Sequence, residues 1–195
     1  MRWKLLPAIL LLGAATTGAD VAVMDRAKEV LRLGTVRIRT ARGTDFMFRT
    51  GMRPYHIAEG KNGGRLLRVA PVEQASFGQI SLPEVRFGEV AGKNVVLEVD
   101  NGRITRFRAA EGAAALTEAL DARGEAARRF AEFSLGFSEE VSEGPAAAGT
   151  VCLAFGGNEE LGGALPGPAE QRYCLPDASV HVDFRYLVRE GRLVP

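Results

Sequence analysis

Cysteine and histidine are scarce in this 195-residue chain, with two of each. Two cysteines, Cys152 and Cys174, close at most one bridge, so no disulfide framework holds the fold. No C-x-x-C pair, no G-x-S-x-G elbow and no G-x-x-x-x-G-K loop occurs. The short signatures of dithiol redox chemistry, of serine hydrolases and of phosphate loops are therefore missing. Charge of one sign is missing too: 25 Lys and Arg face 24 Asp and Glu, for a net charge of +1. That balance argues against a nucleic-acid or acidic-membrane partner held by bulk electrostatics. Beyond the first twenty residues no run is apolar enough to cross a bilayer, and there is no internal repeat or low-complexity tract.

What is present describes a globular chain, 46% hydrophobic and 25% charged, long enough for one ordinary domain. Its 23 glycines, many of them paired, predict many turns and much strand. The N-terminus, "MRWKLLPAILLLGAATTGAD", has Arg2 and Lys4, an apolar run from Leu5 to Ala15, and small residues ending at Ala19. This is the three-part plan of a secretory signal with a cut after Ala19. Residues 1–19 are expected to be a signal peptide or a residual segment, and 20–195 the domain. Export to the periplasm or medium is the preferred reading, a cytoplasmic chain the alternative, and no integral membrane segment is expected after processing.

Apolar residues at three- and four-residue steps predict an amphipathic helix from Asp20 to Leu33. "TVRIRT" and "TDFMFRT" alternate with period two and predict a hairpin. "RLLRVA" and "EVRFGEV" are expected strands, and "NVVLEVDNGRITRF" is a hairpin turned by Asn101-Gly102. "EGAAALTEALDA" and "GEAARRFAEF" read as two helices. "GTVCLAFGG" is a short apolar strand, residues 156–178 a loop rich in Gly and Pro, and "SVHVDFRYLV" a strand that "REGR" turns back. The expected class is α+β: mainly antiparallel sheet with a few helices, in a single domain.

If "SVHVDFRYLV" is a strand, His181 and Asp183 leave it on one face, and imidazole and carboxylate are both ligands for zinc and similar ions. A solvated strand face is the competing reading. Cys152 is either a small core residue or a thiolate ligand; Cys174 lies in the predicted loop and could bridge to it in an oxidising compartment. Glu132 sits where helix gives way to an apolar segment, as a surface residue or an inward carboxylate. Glu84 and Glu89 carry the same two readings on a strand-like run. His56 reads as incidental. A carboxylate-rich metal site is the only chemistry with several candidate residues.

The order "RGTDFMF", "GMRP", "LPEVRFGEV", "LEVDNGRI", "GTVCLAFGG", "LGG" and "HVDF" resembles the C-terminal catalytic domain of the thermophilic metallo-aminopeptidases, which are leucyl-aminopeptidase-like enzymes. The resemblance covers, with gaps, Asp20 to the end. It implies one or two divalent ions (zinc, cobalt or manganese), peptide substrates and a homodimer. Glu89, with Glu84 as substitute, and Glu132 fall on metal-binding glutamates, and both are the implied catalytic carboxylates. His181 and Asp183 fall on two further ligands. Cys152 stands where the family has a ligand histidine, and Glu159 or Glu160 where it has a tyrosine. The segment from Gly163 to Ser179 is longer than the family's, and the family's N-terminal domain has no counterpart. The implied activity is removal of N-terminal residues by a metal-activated water. The alternative is a catalytically inactive relative acting as a binding or assembly module.

Overall fold

The computed structural model describes residues 18–32, 34–59 and 64–194. The expected export segment lies outside these, apart from Gly18 and Ala19, which open the first helix. That helix, α1 (Gly18–Leu31), buries Met24, Ala27, Val30 and Leu31, the stripe its periodicity predicts. Then come β1 (Thr35–Arg39), β2 (Asp45–Arg49), β3 (Tyr55–Glu59), β4 (Arg65–Val69), β5 (Ser76–Phe87), β6 (Val90–Asp100) and β7 (Arg103–Arg108). After α2 (Ala113–Asp121) follow β8 (Phe130–Gly136), β9 (Val151–Gly156), β10 (Ala169–Leu175), β11 (Ser179–Val182), β12 (Arg185–Arg189) and β13 (Arg192–Leu193).

The strands form two antiparallel sheets. One has eight strands in the order β13-β12-β11-β1-β2-β5-β6-β7, the other five in the order β10-β9-β8-β4-β3. Their inner faces pack together through a phenylalanine cluster. Phe46 and Phe48 of the larger sheet lie 5.0 and 5.3 Å, centroid to centroid, from Phe130 on the smaller sheet, and Phe48 lies 5.1 Å from Phe133. All four rings are fully buried, each worth about 1.5–3 kcal/mol of transfer free energy. With thirteen strands against two α-helices among the described residues, this is a β-rich single domain, and the expected α+β class is incorrect.

The hairpins β1–β2 and β6–β7 fold as predicted. Asn101 (φ 49°) and Gly102 (φ 72°) supply the two positive angles of a type I′ turn. Further along, the structure departs from the expected elements. "GEAARRFAEF" is helical only as a 3-10 turn over Glu125–Arg128; from Phe130 it is strand β8. Local Ala, Glu and Arg propensity favours helix there, but all seven residues of β8 are buried, and sheet pairing on both sides overrides propensity. Within the expected loop 156–178 lie a 3-10 turn (Glu159–Leu161) and β10, which pairs with β9. "SVHVDFRYLV" is two strands, broken by a turn at Asp183-Phe184 in which Asp183 has φ 50°.

Candidate functional site

The smaller sheet has an apolar inner face and a polar outer one, and the polar side chains meet through strand register. Arg172 on β10 and Glu132 on β8 both stand opposite Ala154 on the intervening β9. Strands lie about 4.8 Å apart, so the small side chain of Ala154 leaves Arg172 a path across β9 to Glu132. One pair further along, Cys174, Cys152, Ser134, Arg68 and His56 stand opposite one another across all five strands.

Glu132 is the centre of this face. Its side chain has no exposure, while Arg68 keeps 20% and Arg172 34%. Arg68 donates from Nε to Oε1 at 3.1 Å and from Nη2 to Oε2 at 2.7 Å, a bidentate clamp. Arg172 donates from Nη2 to the same two oxygens at 2.8 and 2.9 Å. Arg68 Nη2 also donates to Glu160, on the 3-10 turn over Glu159–Leu161. Two guanidiniums thus balance two carboxylates, which is how a charge survives full burial. Hydrogen bonding to Glu132 holds the Arg68 guanidinium above its ordinary pKa range, against the opposing effect of burial.

Beside this cluster, Cys152 and Cys174 form a disulfide between directly opposed residues of β9 and β10. The reading of Cys152 as a thiolate ligand is therefore corrected: its sulfur is already bonded. Cys174 lies on a strand rather than in a loop. Ser134 is only 1% exposed, and among the described residues neither its Oγ nor Nε2 of His56 has a hydrogen-bond partner. His56 lies on β3 in line with Arg68, not in a loop.

The other expected ligands are elsewhere. Glu89 is exposed in the turn between β5 and β6, and Glu84 is exposed on β5 and paired with Arg86. His181 lies on β11 in the larger sheet, in a row on its outer face: Tyr186, His181, Arg37, Met47 and Phe77 stand opposite one another on five strands. The premise that Asp183 shares a strand face with His181 fails, because Asp183 has left the strand. His181 Nδ1 lies 3.1 Å from the backbone oxygen of Asp183. The Asp183 carboxylate packs over Gly34, where a Cβ would collide with it.

Glu89, Glu132, Cys152, His181 and Asp183 are thus not brought together. Among the described residues no three His, Cys, Asp or Glu side chains converge as a metal ion would require. The groups around Glu132 do not fit a resident cation either. Both oxygens are taken by N–H donors, and a positive charge about 4 Å from a guanidinium is repelled by about 4 kcal/mol at an effective dielectric of 20. Arg68, Arg172 and Ser134 were not among the predicted site residues. The only trace of Arg68 in the sequence is its place in the strand "RLLRVA".

No protein-family model matches the sequence, and no curated protein matches it. Solved structures do. The chain is similar to 2,5-dihydroxypyridine dioxygenase from Pseudomonas putida KT2440, with a TM-score of 0.73 and 18% identity, over 91% of this chain and 60% of that one. It is also similar to wild-type AmpT from Thermus thermophilus, with a TM-score of 0.61 and 17% identity, over 92% of this chain and 56% of that one. Identities this low show a shared fold, and the chain spans somewhat over half the length of either neighbour. A fold that carries such differently named proteins leaves the chemistry to be argued from the side chains.

Proposed function

We propose that this chain is a catalytically inactive relative of the thermophilic metallo-aminopeptidases that works as a binding or assembly module. The observation that carries the reading is the state of two positions that the family resemblance assigns to metal. Glu132 is fully buried with both oxygens held by Arg68 and Arg172, and Cys152 is bonded to Cys174. The guanidiniums supply the positive charge that a cation would otherwise supply to the buried carboxylate. On this reading both positions are engaged in other bonds, which supports a chain that does not activate water for peptide hydrolysis.

What supports assembly is the outer face of the larger sheet. Tyr186 (41% exposed) stands at one end of the row through His181 and Arg37, with Met47 and Phe77 at the other, and Phe184 is wholly exposed beside Tyr186. A second copy related by a two-fold axis near Arg37 would bring the Tyr186–Phe184 end of each chain onto the Met47–Phe77 end of its partner, a self-complementary contact. In the middle of this face Asp45 pairs with Arg37 and also lies 3.6 Å from Arg39, so its one carboxylate offsets part of their charge.

The test is an assay for release of the first residue from unblocked peptides, with zinc, cobalt or manganese added. The expected result is no turnover beyond that of the metal salt alone. Turnover that disappears in Glu132→Ala would overturn the proposal. For assembly, light scattering across a concentration series should show a dimer that Met47→Lys with Phe184→Ser converts to monomer.

A further inference from the structure

The disulfide is asymmetric in its surroundings. Cys152 is fully buried, whereas Cys174 is partly exposed and lines a cavity of about 340 Å³. The cavity lies where the β1–β2 turn and β5 of the larger sheet meet the end of β10, and it falls within the size range of small-molecule sites. Its wall carries one cation and one anion, Arg42 and Asp177, together with the hydroxyl-bearing residues Thr40 and Ser81. On the other side of the bond, Ser134 stands directly opposite Cys152, buried, and its Oγ has no partner among the described residues.

We propose that Cys174 is the acceptor site for a small zwitterionic thiol of the cysteine type. Arg42 receives the ligand's carboxylate and Asp177 its ammonium group, which brings the thiol to Cys174, the partly exposed residue of the bridge. The ligand thiolate attacks Sγ of Cys174. A new sulfur–sulfur bond forms there, the Cys174–Cys152 bond breaks, and its electron pair leaves on Sγ of Cys152. The step exchanges one disulfide for another, so it needs no external oxidant or reductant. The Ser134 hydroxyl, idle in the bridged form, donates a hydrogen bond to the departing Cys152 thiolate. Attack in the opposite sense is blocked, because Cys152 is closed to solvent. This site differs from the Glu132 cluster, and its fate does not depend on whether the chain hydrolyses peptides.

The experiment treats the folded, oxidised protein with free L-cysteine or with the neutral thiol mercaptoethanol, quenches with acid at early times, and maps adducts by mass spectrometry. The expected first product carries one cysteine on Cys174 and a free thiol at Cys152. Cysteine should react faster than mercaptoethanol. Arg42→Ala with Asp177→Ala, both exposed positions, should slow the cysteine reaction on the order of tenfold, the loss expected for charge-assisted contacts, and leave the mercaptoethanol rate unchanged. Ser134→Ala should slow both thiols alike. An adduct on Cys152, no adduct in the folded protein, or equal rates for the two thiols that the Arg42 and Asp177 variants do not alter would each overturn the proposal.

Discussion

Replacing Glu132 by glutamine tests the polar centre of the small sheet with the least change of shape. The carboxylate is fully buried and accepts four hydrogen bonds from two guanidiniums. Glutamine keeps one acceptor, but its amide turns two N–H groups towards N–H donors. Breaking a buried ion pair by removing one partner costs about 3–5 kcal/mol. Arg68 and Arg172 keep 20% and 34% of their exposure, so the freed guanidiniums rehydrate in part. That sets the expected loss near the low end, at about 3 kcal/mol. At this chain length such a loss lowers the melting temperature by about 6–12 °C. Urea unfolding with the disulfide kept oxidised is the assay. Arg68→Met and Glu132→Leu, alone and combined, should show a double variant that loses at least about 1 kcal/mol less than the sum. A Glu132→Gln protein within about 0.5 kcal/mol of the parent, the range of an ordinary surface change, would refute the clamp. So would a chelator that destabilises the parent but not the variant.

Opening the Cys152–Cys174 bridge, which spans a sequence separation of 22, should cost about 3 kcal/mol in urea unfolding by loss of the constraint on the unfolded chain; an unchanged midpoint in the doubly Ala-substituted protein would contradict this. Gly102→Ala forces a side chain into a backbone at φ 72° and against the carbonyl oxygen of Glu73, so it should destabilise by about 2 kcal/mol or more, and a neutral result would count against the type I′ turn. The Asp45 carboxyl is held below its ordinary value by hydrogen bonding to Arg37, with burial opposing. Its contribution is therefore present above about pH 4 and is lost as the pH falls through the lowered folded value. The pair is well exposed, so the contribution is under about 1 kcal/mol. Asp45→Asn should flatten the stability–pH slope below pH 4 and leave stability at pH 7 within that margin, and an unaltered acid slope would contradict it.

Legibility in the sequence followed the range over which each feature is decided. The β6–β7 hairpin was readable because Asn101-Gly102 sets its turn within two residues, and α1 because its buried stripe repeats every three to four positions. The start of strand β8, Phe130–Phe133, reads as helix because its composition favours helix locally, while β4, the partner on one side, lies far back in the chain and β9, the partner on the other, follows only after a long connection. The period-two pattern through "SVHVDF" continues across a turn, so it puts His181 and Asp183 on one face that the backbone does not preserve. The sequence marks Glu132 as a candidate carboxylate but does not carry its role. That role depends on Arg68 and Arg172 arriving from strands 64 and 40 residues away, and no local spacing announces such a meeting. The cysteine pairing was open for the same reason: it follows from the β9–β10 register, and β10 itself was hidden among glycines and prolines.

A calorimetric titration of the oxidised protein with zinc, cobalt and manganese bears most directly on whether the buried carboxylate is occupied by arginine or kept for a cation. The expected trace shows no saturable site, and it is the same for the parent and for Glu132→Gln. Saturation at one or two ions per chain in the parent, lost in Glu132→Gln, would contradict it.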